Sequence, residues 1–300
     1  MGKSRDLAAM RRAIAISAQG LGSTSPNPPV GCVILDSEGS TVGEGYHVRK
    51  GEPHAEVNAL SAAGKLAEGG TAVVTLEPCN HFGRTPPCRE ALINANVARV
   101  VIAVMDPTSR GEGGAALLRK AGLEVEQDFL QDEALLVLGP WLASLENDRP
   151  FITWAYEAAP DGKPLPLDAH SGVPEIRYAL QESYNLVIDH GGQVREGRPG
   201  KHGREVFQVP HDSLSGNSGR LLRLLSAAGA RSVLLNGASD AAAALFAAGA
   251  VDQIISYLPG TLPSWAPGAH HSHLGVLPEG YRLTGVNREG KYVRLTGRND

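Results

Sequence analysis

The chain has 300 residues, 42% hydrophobic and 20% charged, with a net charge of −4 and a pI near 6.2. That length accommodates two ordinary domains with cores of their own, and no run approaches the roughly 20 apolar residues that span a bilayer. The acidic balance opposes a nucleic-acid binder, and three cysteines leave no disulfide framework, so the expectation is a soluble protein of a reducing cytoplasm, acting on a small molecule.

MGKSRDLAAMRRAIAIS carries apolar residues at helical spacing and no cleavage site, and it reads as an amphipathic helix over Ser4–Gln19 instead of a signal peptide. Strands are predicted at Val30–Leu35 and Thr41–Tyr46, a helix at His54–Ala63, a strand at Ala72–Leu76, a helix at Pro87–Ala95 and a strand at Arg99–Val104. A helix at Gly113–Ala121, a short strand at Glu124–Gln127 and a helical stretch at Asp132–Leu145 complete a three-layer α/β pattern. ENDRP at 146–150 marks a boundary, giving predicted domains at 1–147 and 148–300. Beyond it, strands at Phe151–Tyr156, Asn185–Ile188 and Ser232–Leu235 alternate with helices at Glu175–Glu182, Ser218–Ala228 and Asp240–Ala248, which reads as a second α/β unit. Strand-like runs at 248–260 and 281–297 follow. The histidines 270, 271 and 273 sit in a Gly/Pro-rich loop without a carboxylate or cysteine, so a solvated loop is expected there, not a metal site.

Chemistry concentrates in GEPHAEVNAL at 51–60 and TLEPCNHFGRTPPCREAL at 75–92. His54, Cys79 and Cys88 are three donors of the kind zinc prefers, and three protein ligands leave one coordination position open for a catalytic water. Glu56, two residues from His54, is a carboxylate close enough to move protons at that water, and it is read as the general acid/base and not as a ligand. The arrangement resembles the H-x-E…P-C-x-x-C signature of zinc nucleobase deaminases, with eight residues instead of two between the cysteines. Cys32, in the apolar run PPVGCVILD, reads as a small core residue.

With SPNPPVGCVI at 25–34, GEGYH at 43–47, HAEVNAL at 54–60, LEPCNHFGRTPPC at 76–88 and AVMDP at 103–107, the first half resembles the bifunctional riboflavin-biosynthesis deaminase-reductase family. The resemblance implies a cytidine-deaminase-like domain followed by a dihydrofolate-reductase-like one, a Zn2+ cofactor, and a homo-oligomer. It implies hydrolysis of the 2-amino group of a phosphorylated pyrimidine, 2,5-diamino-6-ribosylamino-4(3H)-pyrimidinone 5′-phosphate. It also makes His54, Cys79 and Cys88 the zinc ligands, Glu56 the proton shuttle, and Asn27, His47, His81 and Arg84 the substrate-binding residues, with Arg84 suited to the phosphate.

The second half resembles the family's NADPH-dependent reductase in outline only. RPFITWAYEAAPDGK at 149–163 aligns with a usual RPFVTLKLAMSLDGK, placing Ala155 at the Lys and Ala159 at the Ser. LVIDHGGQ at 186–193 puts Asp189 in a turn that is normally glycine-rich and approaches the cofactor phosphates, and LNGA at 235–238 puts Asn236 and Ala238 where VEGG is usual. A carboxylate beside a pyrophosphate is repulsive, so loss of NADPH binding and of reduction is the expectation. A chain with both activities, a deaminase of a related pyrimidine in specialised metabolism and a non-catalytic zinc scaffold stay open as alternatives.

Overall fold

Apolar, β-branched runs bounded by turns give the strands their burial. VVIAV at 100–104, VV at 73–74 and CVIL at 32–35 are buried throughout, as expected of strands covered on both faces. The computed structural model describes residues 2–80, 86–159, 163–165, 179–198, 218–259 and 277–299. It divides into two compact units between Leu142 and Ala143, inside a helix and earlier than the predicted 147/148 boundary.

The first unit comprises α1 (Gly2–Ser17), β1 (Gly31–Leu35), β2 (Thr41–Tyr46), α2 (Ala55–Ala63), β3 (Thr71–Leu76), α3 (Cys88–Asn94), β4 (Arg99–Val104), α4 (Gly113–Lys120), β5 (Glu124–Glu126) and most of α5 (Gln131–Glu146), with 3-10 turns at Ala18–Gly20 and Gly64–Ala67. Its sheet runs β2-β1-β3-β4-β5. The β1 pairings with β2 and β3 are antiparallel, and β3, β4 and β5 are parallel. Residues of α2, α3 and α4 form one core with β1, β3 and β4, built from Ala55, Ala59, Ala63, Leu92 and Leu118 against Cys32, Ile34, Val74 and Ile102. Small residues let α2 press onto β2: a Cβ at Gly43 would lie 2.3 Å from Ala59 O, and one at Gly45 would lie 2.6 Å from Ala55 O. That close approach fixes the start of α2 over the sheet.

In the second unit the order is β6 (Phe151–Glu157), β7 (Leu186–Ile188), β8 (Val194–Glu196), α6 (Ser218–Ala227), β9 (Ser232–Asn236), α7 (Asp240–Ala247), β10 (Gln253–Pro259), β11 (Tyr281–Glu289) and β12 (Tyr292–Asn299). The sheet runs β11-β12-β10-β6-β9-β7-β8, with a parallel centre and antiparallel edges. Alternation divides its central strands: Ile152, Trp154 and Tyr156 share one core with Leu221, Leu225, Ala242 and Leu245 of the two helices, and Ala155, Leu234, Ile255 and Tyr257 belong to another. Arg149 grips Asp252 through two bonds of 2.8 Å, and Asp252 also accepts the Ile152 amide hydrogen at 2.7 Å. The first half of the predicted helix at 175–182, residues 175–178, and the histidines at 270–273 lie outside the described residues. No helix among the described residues is long and apolar enough to cross a membrane.

Candidate metal and proton-transfer site

His54 is the residue before α2, Glu56 lies in the first turn of that helix, and Cys88 is the first residue of α3. Cys79 stands three residues beyond the end of β3, so the sheet delivers it to the same place as the two helix starts. One ligand atom from each of His54, Cys79 and Cys88 lies within 4.8 Å of the others. His54 Nδ1 is 3.2 Å from Cys88 Sγ and 3.6 Å from Cys79 Sγ. Tetrahedral zinc with Zn–N near 2.0 Å and Zn–S near 2.3 Å would place these atoms about 3.5 Å apart, so the donor set fits zinc in both chemistry and size. Cys32 is fully buried in the core and is not among the three grouped donors.

Without a metal the donors share protons with one another, and zinc would have to displace those held on His54 and Cys88. Hydrogen bonding from the Cys88 thiol, joined by His54 and the Cys88 amide, brings Cys79 down to about 4. The Cys88 amide donates to Cys79 Sγ at 3.3 Å. Cys88 is pushed the other way, first because its thiol donates to Cys79 and then because it is buried. His54 is raised by its hydrogen bond with Cys79. Glu56 is 3% exposed, and burial followed by the charge of Cys79 pushes its carboxyl up to about 7. A cation between the sulfurs would draw this carboxyl back towards its ionised form.

Asn27 and His47 come together beside this group. His47 Nδ1 is 3.1 Å from Pro53 O, a carbonyl that can only accept, so this nitrogen carries the proton. Burial lowers the His47 pKa, leaving the ring neutral with Nε2 as acceptor for Asn27 Nδ2 at 3.2 Å. The His47 and His54 rings meet edge to face, with centroids 5.1 Å apart. Trp141 Nε1 donates to Pro26 O at 3.0 Å and steadies the turn that carries Asn27. His81 and Arg84 lie outside the described residues. Sequence reasoning passed over Glu77, a buried carboxylate directly after β3 with three hydrogen-bond donors around it. Its signal was a charge wedged between an apolar strand and the Pro-Cys pair.

Residues 3–104 match the model of the cytidine and deoxycytidylate deaminase zinc-binding region. The chain is 48% identical over 155 residues to the riboflavin biosynthesis protein RibD of Escherichia coli, a stretch covering 51% of this chain and 42% of that protein. It is 49% identical over 126 residues to the diaminohydroxyphosphoribosylamino-pyrimidine deaminase of Buchnera aphidicola, covering 42% of this chain and 85% of that one. The chain thus spans under half the length of the E. coli relative. Among solved structures, RibD of Acinetobacter baumannii superposes with a TM-score of 0.75 at 27% identity, covering 99% of both chains. The Thermotoga maritima deaminase/reductase gives 0.78 at 24% identity, also over 99% of both, a likeness of fold.

The first unit's fold and its His/Cys/Cys group define a zinc-type deaminase of the cytidine and deoxycytidylate class. Within that class, the chain belongs to the RibD family of riboflavin-biosynthesis deaminase-reductases.

Proposed function

We propose that the first unit hydrolyses the 2-amino group of 2,5-diamino-6-ribosylamino-4(3H)-pyrimidinone 5′-phosphate, and that the second unit does not reduce the product. The observation that carries the first part is the meeting of His54, Cys79 and Cys88 within 4.8 Å beside the buried Glu56. These three residues would hold zinc, whose chemical contribution when bound is to make water a nucleophile near neutral pH. Glu56 takes the proton released by the attacking water and delivers it to the departing 2-amino nitrogen, so that ammonia leaves in place of an amide anion. The loss of that nitrogen and the gain of the water oxygen turn the aminopyrimidinone into a pyrimidinedione. Asn27, with Nδ2 committed to His47, turns its Oδ1 acceptor towards a ring donor. His81 and Arg84 complete the reading as contacts to the substrate and its phosphate. The Buchnera relative, a diaminohydroxyphosphoribosylamino-pyrimidine deaminase that the chain matches over 85% of its length, supports this choice of substrate.

For the second unit, the turn between β7 and β8 does not fit a cofactor phosphate. Asp189 Oδ1 accepts the amide hydrogens of Gly191 and Gln193, both at 2.9 Å, so its own carboxylate occupies the donors and brings negative charge to the turn. Ala155 carries no polar group on its side chain. Its register partner Asn236 buries an Oδ1 with no hydrogen-bond partner among the described residues. Gly237 closes the segment against β6, donating to Ala155 O at 2.7 Å and accepting from Trp154 Nε1 at 2.9 Å. These features support a unit kept for its packing.

Incubating metal-replete protein with the diaminopyrimidinone phosphate should release one ammonia per substrate without NADPH. No release from folded, metal-loaded protein would overturn the reading.

A further inference from the structure

Glu77 directly follows β3 and is 4% exposed, so a carboxylate sits where an apolar side chain would be easier to bury. Its Oε1 accepts the Ala115 amide hydrogen at 2.9 Å, and its Oε2 accepts the Ser109 hydroxyl at 2.8 Å and the Asp106 amide hydrogen at 3.3 Å. Two of the donors, at Asp106 and Ser109, lie on the connection from β4 to α4, and the third, at Ala115, lies in the first turn of α4. Cys79 is two residues further along the chain. The next residue, Asn80, is tied to the same connection, donating to Arg110 O at 2.9 Å and accepting from Arg89 Nε at 2.8 Å. Between the two anchors the backbones touch: a Cβ at Gly114 would lie 1.9 Å from Pro78 O, and one at Gly113 would lie 2.7 Å from Glu77 Oε1. Residues 106–115 contribute nothing to the His54, Cys79 and Cys88 group, yet they hold the turn that carries Cys79 on both sides of it.

We propose that Glu77 is a positioning residue for the metal group: by anchoring the 77–80 turn to residues 106–115, it sets where Cys79 Sγ stands relative to His54 and Cys88. The inference rests on the zinc reading above and deepens it. Only Pro78 separates the anchor from the ligand, and its ring fixes φ, so little slack remains to absorb a shift. The chemistry at the anchor requires a carboxylate, because all three partners are donors and a carboxylate offers acceptors alone. A glutamine of the same shape fails in either orientation. With its NH2 at the Oε1 position it faces the Ala115 N–H, and at the Oε2 position it faces the Asp106 N–H. Glu77 touches neither substrate nor metal, so its effect must pass through Cys79.

The test compares wild type, Glu77→Gln and the milder Ser109→Ala. Zinc affinity is measured by competition with a chromophoric chelator, geometry from the thiolate-to-metal and d–d bands of the Co2+-loaded proteins, and fold from the melting of the metal-free forms. Glu77→Gln should bind zinc about 10- to 100-fold more weakly, the range seen when groups supporting a metal ligand are lost. It should also shift the cobalt bands and lower kcat more than it raises KM. Ser109→Ala should move affinity and bands in the same direction by less. A Glu77→Gln protein that melts earlier but keeps wild-type zinc affinity and cobalt bands would show a role in folding alone and overturn the proposal. Should that variant fail to fold, Ser109→Ala decides, and unchanged affinity and bands would contradict the proposal. Wild type that binds neither metal would instead overturn the zinc reading, and this inference with it.

Discussion

In the first unit an imidazole, two thiols and a carboxylate meet where two helices begin, whereas the second presents Ala155, an Asn236 oxygen with no hydrogen-bond partner among the described residues, and a turn whose amides are spent on Asp189. Both units bury apolar strands under helices, and both use polar side chains to pin backbone. Asp252 holds Arg149 and the Ile152 amide, and Asn185 Oδ1 takes the amide hydrogens of Arg231 and Ser232 at 2.9 and 3.0 Å. Among the described residues, what separates the units is the grouped donor set of His54, Cys79 and Cys88, which belongs to the first. A fold of this kind persists on apolar spacing and backbone anchors, while its reactions depend on a few side chains that can be exchanged without disturbing either.

The contrast is broken most completely by removing the metal group. Chelation, or Cys88→Ser, should reduce ammonia release to background. Added zinc should restore the chelated wild type, and the variant should stay inactive when ammonia is measured with excess metal. Next in size, Glu56→Gln should lower kcat by about 10²- to 10⁴-fold, the usual worth of a positioned proton-transfer group, while zinc content stays at one equivalent by elemental analysis. In the second unit, Asp252→Ala should cost roughly 2–3 kcal/mol in a denaturant titration, because it leaves a guanidinium and a backbone amide without their acceptor. Ammonia release per folded molecule should not change. The smallest effect concerns His47, whose pKa burial lowers. Its folded value lies below that of the unfolded chain, so its contribution to stability is complete above about pH 6.5 and fades as the pH falls through the folded value. An NMR titration should find Nδ1 protonated and a midpoint below 6.5, the ordinary histidine value.

Much of this was legible in the residues. The strands at Thr41–Tyr46 and Arg99–Val104 fall where they were predicted, because apolar runs between turn residues leave little choice of boundary. Other parts carried weaker signals. The strand Val194–Glu196 has one apolar residue in three and exists through its pairing with Leu186–Ile188. The strand-like run at 281–297 is a hairpin of two strands, turning at Gly290 with φ of 59°, a turn that its composition does not mark. The sequence named the metal group by residue type and order. It could not reveal that Glu77 braces Cys79, because the donors at Asp106, Ser109 and Ala115 reach it only through tertiary packing. Nor does residue type disclose that Asp189 bonds the amides of its own turn, since a lone Asp in a Gly-rich stretch reads only as a charge.

The claim that one unit reacts and the other packs is tested most directly by supplying the diaminopyrimidinone phosphate together with NADPH and following ammonia and NADPH oxidation as separate signals. One ammonia per substrate with NADPH left unoxidised is the predicted result. Stoichiometric NADPH oxidation that follows ammonia release and saturates with cofactor would contradict it.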